Sequence, residues 1–268
     1  MFIDWDEVRK LKNWKEVYDI LMEKLRLRTD PVAVKYFKNF DAETRSELRR
    51  MRFRHPREPL AVCQVATLVR TQGGSFYFTA EDMACVIGSA ALGLCEMDTD
   101  MVAAVIMRKT RELSRKFLEE IPKIPRGEVE AVACAPLKRV PFDPDQVLIY
   151  CVPAQALRVF AAGIQESTYS PSFKFGAEVG VCVEVMARSY ITKEMSFSMP
   201  CFGERTSCFS GDDEVIMGIP INIMDSFLEG LKRTEFSCPY PIPFGIFGGI
   251  HETPRFPKEM LTEYARKK

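Results

Sequence analysis

Residues 129–164 contain two strand-like segments and then a helix-like one, and this succession limits the fold more than any other part of the chain. The apolar runs 129–137 and 146–152 are short and rich in Val, Ala, Ile and Leu, which predicts buried strands. Pro153 suits the first position of a helix over 153–164, because the N–H that proline lacks would have no partner there. The block therefore predicts a chain that combines helices with strands.

The other patterned segments continue this mixture, and no internal repeat is present. Apolar residues at helical spacing, with capping residues, predict the following helices: 4–26 with a break near Asn13, 41–52, 60–72, 79–93, 98–108, 111–121 and 222–232. Apolar runs bounded by turn residues predict further strands over 32–37, 75–78, 179–186, 195–202 and 214–219. We expect an α+β fold, a mixed sheet with flanking helices, in a single large domain whose division into two lobes stays open.

The composition changes after Glu235, where Pro and Gly alternate with aromatic residues and isoleucine. We therefore assign residues 1–234 to the cysteine-containing domain. Residues 235–268 are predicted to form an extended arm and a terminal helix that pack on it. The Gly-Gly pair in this arm matches neither a P-loop nor a dinucleotide fingerprint.

Charge and apolar length exclude several partner classes. Thirty-seven Lys and Arg balance thirty-seven Asp and Glu among 268 residues, so no overall basic field is available to hold nucleic acid. The longest apolar stretches fall short of the roughly 20 residues of a membrane span. Asp4, Asp6 and Glu7 give the N-terminus the wrong charge for a secretory signal. We expect a cytoplasmic protein. Its expected partner is a small-molecule substrate or a redox partner, and the formation of a homo-oligomer stays open.

Several catalytic classes lack their residues. His55 and His251 are the only histidines, and no Gly-x-Ser-x-Gly or His-Glu-x-x-His motif occurs, which argues against a hydrolase or a histidine-rich zinc site. Nine cysteines are present with no Cys-x-x-Cys pair, so a disulfide framework, a thioredoxin motif and a zinc ribbon are all disfavoured. The cysteines either pack as small apolar residues or act as ligands drawn from distant segments.

Local context divides the cysteines. Cys134 and Cys151 lie in predicted buried strands, where core packing is the simplest role. The other cysteines of interest each adjoin a glycine or the end of a segment, where backbone N–H groups can approach sulfur; they are Cys63, Cys85, Cys182 and Cys201. From context alone, packing and metal binding both stay open for these four.

The family resemblance rests on motifs spread over residues 20–232: Asp30-Pro-Val-Ala-Val-Lys35, Cys63-Gln64 through Gly73, Phe76, Cys85 to Gly88, Leu92-Gly93, Pro153-x-Gln155-Ala156, Gly180-Val-Cys182-x-Glu184, Cys201-Phe-Gly203-Glu-Arg205 and Asp212-Asp-Glu214. Together they resemble the domain of unknown function 169 family of archaea and anaerobic bacteria. The resemblance implies cysteine at 63, 85, 182 and 201, but no established reaction. Pro200 departs from the glycine expected before the fourth cysteine.

Four neighbouring thiolates would repel one another, so the implied set makes sense chiefly around a cation or cluster. Structural zinc sites usually use closely spaced cysteine pairs, whereas a [4Fe-4S] cluster tolerates dispersed ligands and fits an anaerobic metabolism. We expect a [4Fe-4S] protein that serves redox chemistry or small-molecule activation, with Cys63, Cys85, Cys182 and Cys201 as ligands.

Four further residues are candidates for roles around such a site. A cluster with four thiolates carries a charge of about 2−, and Arg205 is the candidate to offset it and to face an anionic substrate. Glu214 is the candidate proton donor, and an ion pair between these two residues is the plainer interpretation. Lys35 is a candidate to hold a substrate carboxylate and Gln64 to orient a ligand, although an exposed lysine at a strand end explains the first equally well.

Two alternatives stay open at this point. The chain is a non-catalytic module that binds zinc or senses a small anion through Lys35 and Arg205, or it is a thiol enzyme that uses one cysteine covalently. The covalent alternative is the weaker one, because no histidine lies close in sequence to any of the four cysteines. Whether the chain is an enzyme is not decided by its sequence.

Overall fold

The computed structural model describes residues 13–106, 108–163, 175–176 and 178–233. A seven-stranded sheet runs through its centre in the order β2-β3-β1-β4-β7-β6-β5. The strands are β1 (Val32–Phe37), β2 (Phe76–Phe78), β3 (Ala131–Pro136), β4 (Gln146–Cys151), β5 (Phe175–Gly176), β6 (Ser196–Ser198) and β7 (Val215–Pro220). All neighbouring strands are antiparallel except β5 and β6, which are parallel. The mixed sheet of the expected α+β fold is confirmed.

Helices cover both faces of this sheet. Those in the described residues are α1 (Trp14–Leu25), α2 (Ala42–Arg50), α3 (Val62–Gln72), α4 (Val86–Ala91), α5 (Thr99–Ala103), α6 (Arg111–Glu120), α7 (Pro153–Gly163), a π-helix (Gly180–Ala187), α8 (Arg188–Thr192), α9 (Phe202–Ser207) and α10 (Met224–Arg233). Three short 3-10 helices cover Ala80–Asp82, Leu137–Arg139 and Ile221–Ile223.

Successive side chains of the strands lie in different cores on the two faces of the sheet. Val34 and Tyr36 of β1 and Tyr150 of β4 face one core, which contains residues of α3, α4 and the π-helix. Ala33 and Ile149 face the opposite core, which contains residues of α1, α7 and α10. Successive residues of a strand point to opposite faces, so the sheet separates these two helical layers.

Caps set the ends of two helices as the sequence predicts. The Asn13 side chain accepts the Glu16 N–H at 3.3 Å, and α1 begins at the next residue. Gly73 ends α3 in the left-handed conformation, with φ +69°, which glycine adopts at little cost. Residues 1–12 of the predicted 4–26 helix lie outside the described part of the chain.

Two predicted elements are wrong. Residues 179–186 form no strand; they belong to the π-helix, in which the Glu184 N–H donates to the Val179 carbonyl, five residues earlier, at 3.2 Å. The predicted helix 79–93 is divided into the 3-10 turn Ala80–Asp82 and α4, with extended backbone at Met83 between them. Apolar content all along a segment does not distinguish a buried strand from a buried helix.

The predicted strand over 195–202 is shorter than expected, since β6 ends at Ser198 and α9 begins at Phe202. The predicted arm 235–268 lies outside the described residues and stays a prediction. No helix in the described ranges is both long and apolar enough to cross a membrane.

Candidate functional site

Four separate segments bring the predicted cysteines to one side of the sheet. Cys63 lies in the first turn of α3, Cys85 immediately before α4, Cys182 in the first turn of the π-helix and Cys201 immediately before α9. The π-helix packs against both α3 and α4, and α3 packs against α9. Tertiary packing thus assembles cysteines that are up to 138 positions apart in the chain (201 minus 63).

We call Cys63, Cys85, Cys182 and Cys201 the thiol cluster, in which Cys182 interacts with each of the other three. Cys182 interacts electrostatically with Cys85 and Cys201, and Cys63 interacts electrostatically with it. Burial raises the pKa of the Cys182 thiol well above its usual value, and the charges of Cys85, Glu204 and Cys201 raise it further. Burial also raises the pKa of Cys201. These thiols therefore stay protonated at neutral pH unless a cation stabilises their thiolates.

Two glycines allow the segments of the cluster to approach closely. A Cβ at Gly88 would lie 3.4 Å from both Cβ and Sγ of Cys182, which is tight packing. A Cβ at Gly180 would overlap the Glu204 carboxylate and lie 3.0 Å from the Met199 carbonyl oxygen. The start of the π-helix therefore depends on the absence of a side chain at position 180.

Glu204 joins the start of the π-helix to the start of α9. Its Oε2 accepts the N–H of Cys201 at 2.9 Å and that of Val181 at 3.3 Å, although the residue is only 1% exposed. Burial raises the pKa of Glu204, against the opposite effect of these two N–H groups and of Arg70. The second oxygen, Oε1, is buried without a hydrogen-bond partner in the described part of the chain.

We expect Gly180→Ala to lower the free energy of unfolding by about 1–3 kcal/mol, because the added methyl would push Glu204 away from both N–H groups. Denaturant titration of the metal-free protein measures this loss. Gly203→Ala is the matched control, since its Cβ would be 3.9 Å from Cys201 Sγ, an ordinary contact. That control should change stability by less than about 1 kcal/mol. Equal losses in the two variants would contradict the role given to Gly180.

A buried cation lies beside the thiols on α3. The Arg70 side chain is 3% exposed and pairs with Glu214, with NH1 at 2.6 Å from Oε1 and NH2 at 3.0 Å from Oε2. Its guanidinium lies 4.1 Å above the Tyr150 ring. Tyr150 in turn interacts electrostatically with Glu204, Cys63 and Cys208. The Tyr150 hydroxyl and Arg70 Nε are buried and have no hydrogen-bond partner among the described residues.

A fifth cysteine, Cys208, joins the cluster at the C-terminal end of α9. Its side chain interacts with that of Cys63, and this interaction raises the pKa of Cys63 and lowers that of Cys208. Cys208 was not predicted to be a site residue. Only six residues separate Cys208 from Cys201, and these six residues form α9. This short separation in the sequence is the signal that could have indicated two thiols at the ends of one short element.

The remaining predicted site residues are not brought to the thiols in the expected way. Arg205 is exposed and pairs with Asp212, while Glu214 pairs with Arg70, so the expected pair between Arg205 and Glu214 does not form. Lys35 pairs with Asp145 at 3.2 Å.

Lys35 alternates with Val34 and Tyr36 along β1, and these two face the thiol side, so its side chain leaves the sheet on the other face. Gln64 uses its amide oxygen to accept the Ala61 N–H at 2.9 Å, which caps α3. Gln64 follows Cys63 in the sequence, and its role toward a ligand stays a prediction.

Cys134 and Cys151 lie in the core, as predicted. They are 1% and 3% exposed in β3 and β4, and burial raises the pKa of each thiol to about 12. At about pH 8 only roughly one in 10⁴ of either thiol is ionised. We expect iodoacetamide to leave both unlabelled in the native, metal-free protein while it labels the half-exposed Cys95. Mass spectrometry of tryptic peptides measures this, and labelling of Cys134 as fast as Cys95 would contradict it.

Comparisons with known proteins place the cluster inside a known sequence family. The family model for domain of unknown function 169, described as "Uncharacterised ArCR", matches residues 20–230. The uncharacterised protein MJ0308 of Methanocaldococcus jannaschii is 24% identical over 188 residues, which cover 66% of this chain and 78% of that protein. No solved structure matches the chain. All five clustered cysteines lie within the matched residues.

Proposed function

The chain belongs to the domain of unknown function 169 family, and we propose that within this fold it is an iron–sulfur protein that serves redox chemistry or small-molecule activation. The proposed ligands of its [4Fe-4S] cluster are Cys63, Cys85, Cys182 and Cys201. When bound, such a cluster supplies one-electron transfer or an iron atom that activates a substrate.

The observation that carries this proposal is that three of the proposed ligands interact with the fourth, Cys182. Electrostatic interaction with Cys182 reaches Cys63 on α3, Cys85 before α4 and Cys201 before α9. Cysteines that only fill a core would be expected among apolar neighbours, as Cys134 is. Here Cys63, Cys182 and Cys201 instead interact with Glu204. Tyr150 interacts with Cys63, and Arg70 interacts with Glu204. Polar groups in that number are typical of a site that binds something.

The dispersal of the four cysteines along the chain supports a cluster over a structural zinc ion in this proposal, because structural zinc sites usually use closely spaced cysteine pairs. A zinc ion with Zn–S bonds of about 2.3 Å needs its sulfur ligands within about 4 Å of one another. Among the described residues, no three His, Cys, Asp or Glu side chains are grouped so that they could hold one metal ion.

The surrounding groups suit an anionic cluster. Interactions with the backbone at Gly180 and Val183 oppose the rise in the pKa of Cys201 and Cys182 respectively. Hydrogen bonds to cysteine sulfur are one of the ways in which a protein tunes such clusters. Arg70, rather than the predicted Arg205, is the buried cation beside the thiols.

The exposure of the thiols supports access from solvent. Cys63, Cys85 and Cys201 are partly exposed, whereas Cys182 is 7% exposed. In the proposal, Cys182 would be the buried ligand, and Cys63, Cys85 and Cys201 would be the partly exposed ligands. A small molecule or a redox partner would approach on this side. The thiols must lose their protons on binding, so affinity should fall as pH is lowered.

Anaerobic purification of the full chain followed by iron, acid-labile sulfide and zinc analysis tests the proposal. We expect about four iron and four sulfide per chain and broad visible absorbance that bleaches on oxidation. Stoichiometric zinc without sulfide would favour a zinc-binding module instead. Metal-free protein that neither binds iron and sulfide on reconstitution nor gains stability from them would overturn the proposal and leave packing as the role of the thiols.

A further inference from the structure

A cavity at the start of α2 lies outside the site described above, and we call it the α2 cavity. Its volume is about 340 Å³, and the residues that line it are Phe40, Asp41, Ala42, Arg45, Ser46 and Arg49. Volumes of about 300–1,000 Å³ are typical of sites that bind small molecules. Arg45, Ser46 and Arg49 are exposed, so a ligand can enter the cavity from solvent.

The α2 cavity and the thiol cluster lie on opposite faces of the sheet. Leu48 of α2 packs in a third core with Tyr77 of β2 and Ala133 of β3. Cys134, the next residue of β3, lies instead in the core that contains Cys182. Successive residues of a strand point to opposite faces. A ligand in the α2 cavity therefore binds independently of the thiols.

Aromatic residues, rather than carboxylates, hold the two arginines of the α2 cavity in place. Arg49 Nε donates to the hydroxyl of the fully buried Tyr77 at 3.1 Å. The Arg45 guanidinium lies 5.3 Å from the centre of the Phe40 ring. Neither arginine forms an ion pair within the part of the chain that the structure describes. Since a guanidinium has five N–H donors, both arginines keep donors for a ligand.

The single carboxylate of the lining does not neutralise these arginines. Asp41 Oδ1 accepts the Thr44 N–H at 2.7 Å and thereby caps α2. The surroundings add positive charge, because the Arg54 carbonyl accepts the Tyr77 N–H at 3.1 Å and this places a further arginine of the chain next to β2. A concentration of one sign of charge attracts ligands of the opposite sign.

We propose that the α2 cavity binds a small organic phosphate monoester. Arg45 and Arg49 are four positions apart on α2 and therefore lie on one side of it, so both can bind the same group. A phosphate monoester presents three terminal oxygens and nearly two negative charges at neutral pH. The guanidinium groups match these oxygens bidentately, and the Ser46 hydroxyl is a further donor. Phe40 and Ala42 supply apolar wall for the organic part.

Isothermal titration calorimetry of the full, metal-free chain with phenyl phosphate, inorganic phosphate and benzoate tests the ligand class. We expect one molecule of phenyl phosphate to bind per chain with a dissociation constant of about 1 mM or lower, and the other two anions to bind more weakly. No binding of phenyl phosphate would overturn the proposal. Equally tight binding of inorganic phosphate would overturn the organic ligand, and equally tight binding of benzoate would overturn the selection of phosphate.

Replacement of either arginine tests the position of the site. Arg45→Met and Arg49→Met should each weaken phenyl phosphate binding by at least about tenfold, because each removes charge-assisted hydrogen bonds. Arg50→Met is the matched control, since Arg50 lies on the same helix, pairs with Glu47 and is absent from the lining. That control should change the affinity by less than about threefold. Equal weakening in all three variants would indicate general attraction to a basic surface and overturn the site.

Chemical protection of the unmodified chain tests the same position without any substitution, in case a variant does not fold. Phenylglyoxal modifies accessible arginines, and mass mapping of peptides measures the extent at each. We expect phenyl phosphate to slow the modification of Arg45 and Arg49 but not that of Arg50. Unchanged modification of Arg45 and Arg49 at a saturating concentration of phenyl phosphate would overturn the proposal, and the iron–sulfur function would be unaffected by that result.

Discussion

Replacement of Cys182 with serine is expected to leave the anaerobically purified protein almost without iron, sulfide or visible colour. Cys182 interacts with Cys63, Cys85 and Cys201. Its replacement therefore removes the one proposed ligand that interacts with each of the other three. A serine hydroxyl is a poor ligand for iron in such clusters, which are held by thiolates. Metal analysis and absorbance spectroscopy measure the effect. Serine at the other three positions should also lower iron content strongly.

Cys134→Ser is the matched control for this prediction, because Cys134 is likewise a buried cysteine on the same side of the sheet. It should keep full iron content even if the buried hydroxyl reduces stability. Circular dichroism establishes that each variant is folded before metal is measured. Full iron content in folded Cys182→Ser protein would overturn the ligand assignment, and equal losses in both variants would show that the effect is not specific to the thiol cluster.

Replacement of Arg70 with methionine is expected to lower the free energy of unfolding of the metal-free protein by about 3 kcal/mol or more. The side chains of Arg70 and Glu214 are only 3% and 14% exposed, so the variant leaves a largely buried carboxylate without its cation. The contact between the guanidinium and the Tyr150 ring is lost as well. Denaturant titration measures the change.

Arg205→Met is the control, since Arg205 and its partner Asp212 have 42% and 90% exposed side chains. An exposed ion pair contributes about 0–1 kcal/mol, so this variant should be close to the unmodified chain. Replacement of both partners, Arg70→Met with Glu214→Leu, should recover much of the lost stability because no unpaired charge is left. A loss for Arg70→Met no larger than that for Arg205→Met would contradict the account of the buried pair.

Local patterns were sufficient for most of the fold. The predicted strand 146–152 and helix 153–164 correspond to β4 (Gln146–Cys151) and α7 (Pro153–Gly163), because turn residues and Pro153 mark their ends. The segment 179–186 was predicted wrongly because valine alternates along it and β-branched residues favour strands. The segment packs among other buried elements in the folded protein. These tertiary contacts favour a helix there, and a local sequence pattern does not report them.

The candidate site was predictable only in part. The family resemblance selected the four cysteines that the structure brings together, while Cys208, Arg70, Tyr150 and Glu204 were missed. The contacts of Arg70 with Glu214 and Tyr150 join residues 144 and 80 positions apart (214 minus 70, and 150 minus 70). No local pattern reports such contacts. Arg205 was assigned to the site because it lies four residues after Cys201, but the helix turns its side chain toward Asp212.

The width of the π-helix makes the number of residues in that segment matter as much as their identity. Each of its turns holds more residues than an α-helical turn, and it continues directly into α8. Deletion of one residue between Val183 and Ala187 would let the segment close as an ordinary α-helix and rotate Cys182 by about 100° relative to α8. A homologue with every cysteine in place but one residue fewer there would present that sulfur to a different neighbour. An alignment gap in this segment therefore distinguishes two kinds of homologue. Those without the gap share the arrangement of the cysteines, whereas those with it have the same cysteines in a different arrangement.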